Sequence, residues 1–268
     1  MSTTIRNTYT SNLHIGPIIT TRGLVSCWDA ASVYSYPRTG TKWYDLITRN
    51  ANDGSLYNMS DANFNTDGMG SFAFDGTDDY ITVPDDPSID VGTGSFTVTA
   101  WIKVNKDIDT FDYMYVVGKR GLGASAGAGW MMQIKPEPVI VYPITPTKWR
   151  FSGTGIEDSS GTAVSFPTSV AQFDIDVWTH IALTYDRGQT SSIYANGIEV
   201  MGMGIPTLNS LSNSIPLEIG ATNYWNAQHL LYLRPFVGSI SSVHYYNTAL
   251  SSQEIKRNYD TVKGRFGL

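Results

Sequence analysis

The chain has 268 residues, 41% of them apolar, which is enough to bury one sizeable core without requiring a second domain. A formal net charge of -6, with no run of lysines or arginines, removes the electrostatic footprint of a nucleic-acid or anionic-membrane binder, so neither partner is expected. No stretch of about 18 apolar residues runs together as a membrane span needs, and "MSTTIRNTYTSNLHIGPIITTRG" has no apolar segment of signal-peptide length, so synthesis in a cytoplasm is expected.

With 25 glycines, 12% aromatics, and Ser, Thr and Asn between short apolar runs, the composition suits an all-β protein. Residues 1–22 depart from that pattern. They are polar around Pro17 yet hold Leu13, Ile15, Ile18 and Ile19, which predicts an extended anchoring arm that docks on a neighbouring surface. In "GLVSCWDA" the lone Cys27 cannot form an intrachain disulfide and reads as a small core residue. Residues 71–86, "SFAFDGTDDYITVPDD", crowd five aspartates around two apolar runs. A strand, a turn at Asp75-Gly76 and a second strand account for them, because Asp accepts backbone N–H bonds at bends and Gly tolerates positive φ. A calcium ion held by Asp75, Asp78 and Asp79 is the alternative, and the turn is preferred, so no cofactor or metal is expected.

Further along, Phe96, Val98, Ala100, Ile102 and Val104 alternate with Thr97, Thr99, Trp101 and Lys103, the period of a strand with one face in a core. Similar runs, "YMYVVG", "WMMQI", "WTHIALTYD", "LEIG" and "VGSISSVHYYN", are separated by turn signals, as in a sandwich of two antiparallel sheets. In "SSIYANGIEV", Asn196-Gly197 supplies two residues able to take positive φ, as a type I′ hairpin demands. The single helix signal is "TALSSQEIKRNYD". There Ser251 and Glu254 form a capping box and Leu250 and Ile255 a staple, predicting a helix from Ser252 to Asp260 whose Ile255 and Tyr259 face the sandwich. Residues 261–268 read as a separate tail.

These runs, from "GLVSCWDAASVYSYPRTGTKWYDL" through "SFAFDGTDDYITVPD", "SFTVTAWIKV" and "VWTHIALTYDRGQTSSIYANGIEV" to "FVGSISSVHYYNTALSSQEIKRNYD", resemble the laminin G-like branch of the concanavalin A-like lectin/glucanase superfamily. The resemblance covers Gly23 to Asp260 and implies a jelly roll over residues 23–260. The opening run and the closing "NYDTVKGRFGL" are similar to laminin G-like proteins of tailed bacteriophages, especially large virions that infect cyanobacteria. That similarity implies a virion component: a capsid decoration or head-fibre subunit, homo-oligomeric, whose partners are other capsid or fibre proteins. An adhesin module that binds host surface glycan is the alternative.

Enzyme readings find little support. Glucanases of the resembled superfamily carry an E-x-D-x-E run, since alternate residues of a strand face a cleft and paired carboxylates supply nucleophile and acid. No such run is present, and Asp174-Ile175-Asp176 reads as a polar turn. His14, His180, His229 and His244 have no zinc-ligand spacing. A pentraxin-like calcium site would need acids in the loop "GKRGLGASAGAGW", which has none. Sugar binding needs exposed rings with amides beside them. The candidates are Trp130, Trp149, Tyr224, Trp225 and Tyr232, with Asn223, Asn226 and Gln228, and the same residue types suit a protein interface.

Overall fold

The computed structural model describes residues 19–47, 52–105, 113–120, 127–137, 148–152, 154–221 and 234–268. The strands are β1 (Leu24–Asp29), β2 (Lys42–Trp43), β3 (Gly54–Tyr57), β4 (Phe64–Asn65), β5 (Ser71–Asp75), β6 (Tyr80–Val83), β7 (Phe96–Val104), β8 (Met114–Lys119) and β9 (Gly129–Glu137). They continue with β10 (Lys148–Phe151), β11 (Gly155–Glu157), β12 (Ala163–Ser165), β13 (Phe173–Asp174), β14 (Thr179–Tyr185), β15 (Thr190–Ala195), β16 (Ile198–Gly204), β17 (Leu217–Ile219) and β18 (Val237–Tyr246). An α-helix, α1 (Ser252–Val262), follows the last strand.

Two antiparallel sheets form a jelly-roll sandwich. Sheet I runs β16-β15-β14-β7-β18-β5-β4, with β1 also paired to β18; sheet II runs β12-β11-β9-β8-β17-β6-β3-β2, with β10 on β9 and β13 on β10. Consecutive strands often lie in different sheets. β5 and β6, four residues of turn apart, split between the two, so the acidic turn bridges the sandwich at one end.

The strand period set the core as expected. Phe96, Val98, Ala100, Ile102 and Val104 of β7 face the space between the sheets with Phe72, Phe74, Ile81, Val83 and Ile240. Each large apolar side chain so buried contributes about 1.5–3 kcal/mol. The hairpin at Asn196-Gly197 has φ of 50° and 75° and joins β15 to β16, the geometry a type I′ turn needs.

A second, smaller core lies on the outer face of sheet I, where Leu24, Cys27, Ala182, Tyr194 and Tyr246 meet Leu250 and Ile255 of the helix segment. Ser251 and Glu254 form the capping box, each side chain bonding the other residue's backbone N–H. Cys27 is buried there, which pushes its thiol pKa well up and leaves it unreactive.

Both chain-end boundaries shift. Ile19 packs on the second core, Thr20 N–H donates to Asn258 Oδ1 at 2.8 Å, and Arg22 Nε and Nη2 clasp Glu254 at 2.8 and 2.7 Å. Residues 19–22 are therefore part of the domain rather than of an arm, because the helix offers an apolar stripe and a carboxylate beside them. Leu13, Ile15 and Ile18 lie outside the described residues. Nor is 261–268 a separate tail. The helix runs on to Val262, Phe266 stacks on Trp101 at 4.0 Å, and Arg265 pairs with Asp29.

Candidate functional site

The acidic turn is built by its own hydrogen bonds. Asp75 Oδ1 accepts from Thr77 N–H at 2.7 Å, and Asp79 Oδ2 accepts from Asp75 N–H and Asn63 Nδ2, both at 3.0 Å. Gly76 takes φ of 79°, and a Cβ there would lie 2.3 Å from Val237 Cγ2, so both the bend and the close packing require glycine. Asp79 is buried, and burial, reinforced by the charges of Asp75 and Asp78, pushes its carboxyl up to about 6. This is the turn expected from the residues.

The same three carboxylates bring one oxygen each to within 4.8 Å of one another, with Asp75 and Asp78 exposed. Calcium takes six to eight oxygens. One Asp79 oxygen already faces two N–H donors, so water would have to complete most of the shell.

Two of the ring candidates are corrected. Trp130 and Trp149 are fully buried. Trp130 has the same strand parity as Met132 and Ile134 and clusters with Phe96 and Tyr245; Trp149 shares parity with Phe151 and packs on Phe173. Neither presents a face to a sugar. Asn223, Tyr224, Trp225, Asn226, Gln228 and Tyr232 lie outside the described residues.

An aromatic platform stands where no candidate was placed. Leu56 of β3 and Ile81 of β6 point into the core, so their neighbours Tyr57 and Tyr80 point outward from sheet II. The two rings stack in parallel, 4.9 Å apart and 2° from coplanar orientation. Tyr57 is 45% exposed. Strand β2 pairs with β3 at Ser55 and Gly54, so the Tyr57 ring stands past the end of that pairing, at the sheet rim. Polar groups flank it. Asn58, in the left-handed region at φ 58°, donates from Nδ2 to the Asp78 carbonyl at 2.8 Å and ties the platform to the acidic turn. Glu218 of β17, itself buried, sits across from Thr82 on the same outer face; burial first, and then the Glu218 charge, raises the Tyr80 phenol pKa. The signal for this pair was available in the period-two alternation of "SLYN" and "YITV".

Solved structures share the fold. The receptor-binding domain of botulinum neurotoxin C/D mosaic serotype superposes with a TM-score of 0.60 at 14% identity, covering 89% of this chain and 51% of that one. The botulinum neurotoxin serotype G binding domain gives 0.59 at 15% identity, with 88% and 50% covered. A Trypanosoma rangeli sialidase in complex with sialic acid gives 0.57 at 16% identity, with 91% and 34% covered. The chain thus spans about half the length of the toxin domains and about a third of the sialidase. Identities this low establish a common fold and nothing more. By sequence, no curated protein matches. A laminin G-like family model does match, over residues 75–256, from the acidic turn into the C-terminal helix. That span is more than half of the chain, and the protein belongs to the laminin G-like family of the concanavalin A-like lectin/glucanases superfamily.

Proposed function

We propose that this domain is a non-catalytic, lectin-like recognition module carried on a phage particle, and that it binds carbohydrate at the rim of sheet II, on its outer face beside Tyr57 and Tyr80. The observation that carries the reading is the stacked Tyr57–Tyr80 pair at the sheet rim, with Asn58 and the acidic turn beside it. Flat, partly exposed rings flanked by amide and carboxylate groups suit the apolar face and hydroxyl edge of a sugar. Two proteins of the same fold add support, one a receptor-binding domain by name and the other solved with sialic acid. The non-catalytic part rests on the acids: Asp174 pairs with Lys148, and Asp176 occupies a left-handed turn at φ 62°. Glycan-array binding by the purified domain, repeated with Tyr57→Ala, tests this. Binding that is lost in the variant with the melting temperature unchanged is expected; no glycan bound, or binding indifferent to Tyr57, overturns it.

The second reading, a capsid decoration or head-fibre subunit, is favoured by where residues 19–22 pack. They lie on the outer face of sheet I, against α1, on the opposite side of the sandwich from Tyr57 and Tyr80. An anchoring segment joined there leaves the platform uncovered. Co-purification with heads after tails are sheared away supports this location, and loss with the tails refutes it.

A further inference from the structure

Lys119 ends β8 with a side chain only 2% exposed, on the same face as its buried cross-strand partner Trp130. Four oxygens converge on its Nζ. Asp85 Oδ1 lies at 2.5 Å, Asp90 Oδ1 at 2.9 Å, the Asn213 carbonyl at 2.9 Å and Asn213 Oδ1 at 3.2 Å. An ammonium has three N–H donors, one fewer than the oxygens it meets. The mismatch is visible, since Asp90 Oδ1 is buried yet takes no hydrogen bond. Two carboxylates against one ammonium also leave the cluster a negative charge in excess.

Asn213 is held oxygen-inward by its surroundings. Its Nδ2 donates to the carbonyls of Lys119 and Ala128 at 2.9 and 2.8 Å, while Ile215 N–H holds Oδ1 at 2.8 Å. This pattern fixes which end of the amide faces the cation. Two carboxylates, a main-chain carbonyl and an amide oxygen are the hard donors that calcium takes. The side chains of Asp85 and Asp90 are 36% and 25% exposed, so water has access to complete a larger shell.

We propose that Lys119 is the built-in cation of an oxygen-lined site, and that the site takes a calcium-like divalent ion once the lysine side chain is removed. The tethered ammonium joins β8, the turn between β6 and β7 that carries Asp85 and Asp90, and the connection before β17, as a bound ion would. The site is separate from the carbohydrate platform and does not depend on it.

The test compares Lys119→Ala with Lys119→Ala combined with Asp85→Asn and Asp90→Asn, each melted in chelator and in calcium. In chelator Lys119→Ala is expected to melt roughly 10 °C below the parent, the order for a buried ion pair that loses one partner in a chain of this size. Calcium should restore more than half of that loss in Lys119→Ala and none in the triple variant. Terbium luminescence, sensitised by neighbouring Trp130, should likewise rise in Lys119→Ala above the triple variant. If Lys119→Ala does not fold in chelator, refolding yield from urea with and without calcium replaces the melt. Equal stability or yield in calcium and chelator, or recovery that survives loss of both aspartates, overturns the proposal.

Discussion

Asp79 carries two backbone-ordering hydrogen bonds on one buried oxygen, and those bonds and its charge pull stability in opposite directions. Burial raises its folded pKa to about 6, above the roughly 3.9 of an unfolded chain. Between those values the folded state holds a proton that the unfolded state has released, so this carboxyl lowers stability as pH rises from about 4 to 6. Asp79→Asn keeps an acceptor for Asp75 N–H and Asn63 while removing the charge. Denaturant unfolding should find it equal to or more stable than the parent at pH 7, with the variant-minus-parent difference growing across that window. Asp79→Ala removes both bonds and should cost about 1–3 kcal/mol. A carboxyl needed as a metal ligand would instead make the Asn variant the weaker protein in calcium. At this scale the turn was legible, since its bonds are local; the burial of Trp130 and Trp149 was missed, although their parity with Met132, Ile134 and Phe151 carries it. The Lys119 cluster was not legible, because its partners come from distant parts of the chain, Asp85 and Asn213 being 34 and 94 residues away in sequence.

The C-terminal helix and the turn after it cover the outer face of sheet I, and beside the apolar second core they bury polar side chains there. His180 and His244 are buried there, with Trp101 stacked between Tyr259 and Phe266. Burial is the main reason that the imidazoles titrate far below the ordinary 6.5, at about 3 for His180 and about 4 for His244. The charge of His244 depresses His180 further, while Asp29 raises and Arg265 lowers His244. Below pH 6.5 the unfolded chain binds protons that the folded chain excludes, so stability is full above 6.5 and falls as pH drops towards 4. Every tenfold loss of proton affinity on folding corresponds to about 1.4 kcal/mol. Hydrogen exchange should show the 252–266 segment opening first on acidification, and His180→Gln should flatten the slope. This slope opposes that of Asp79, so each is read as a difference between variant and parent. The capping box made the helix readable in sequence. Its landing place was not, because Thr99, Trp101, His180 and His244 alternate with core residues in the manner of a solvent-facing side. "TVKGRFGL" looked like a tail because the partners of Phe266 and Arg265, Trp101 and Asp29, are far from it in the chain. Phe266→Ala should lower stability by about 2 kcal/mol in denaturant unfolding, through lost packing on Trp101 and Trp178.

For the whole molecule, the two-sheet fold was legible because strands with one core face print a period of two, and because the hairpin and helix carry local stop and start signals. What covers the outer face of sheet I is a tertiary fact and left little trace. Deleting residues 1–18 retains Ile19, Thr20 and Arg22 with their bonds to Asn258 and Glu254, and the melting temperature should change by less than about 2 °C. Under the particle reading, mass spectrometry of virions grown with that truncation should show the protein lost from particles; a normal copy number would remove the anchoring role.

The opposition of faces also bears on how weak a useful contact can be. Under the particle reading, a domain held by its helix side would present Tyr57 and Tyr80 away from its support, and many copies on one support would present them in the same direction. A single stacked sugar need then contribute only a millimolar contact, because neighbouring copies convert each further contact into an intramolecular event. Attachment would be a property of the array, gained or lost steeply with copy number, and soluble monomer would be a poor competitor for it.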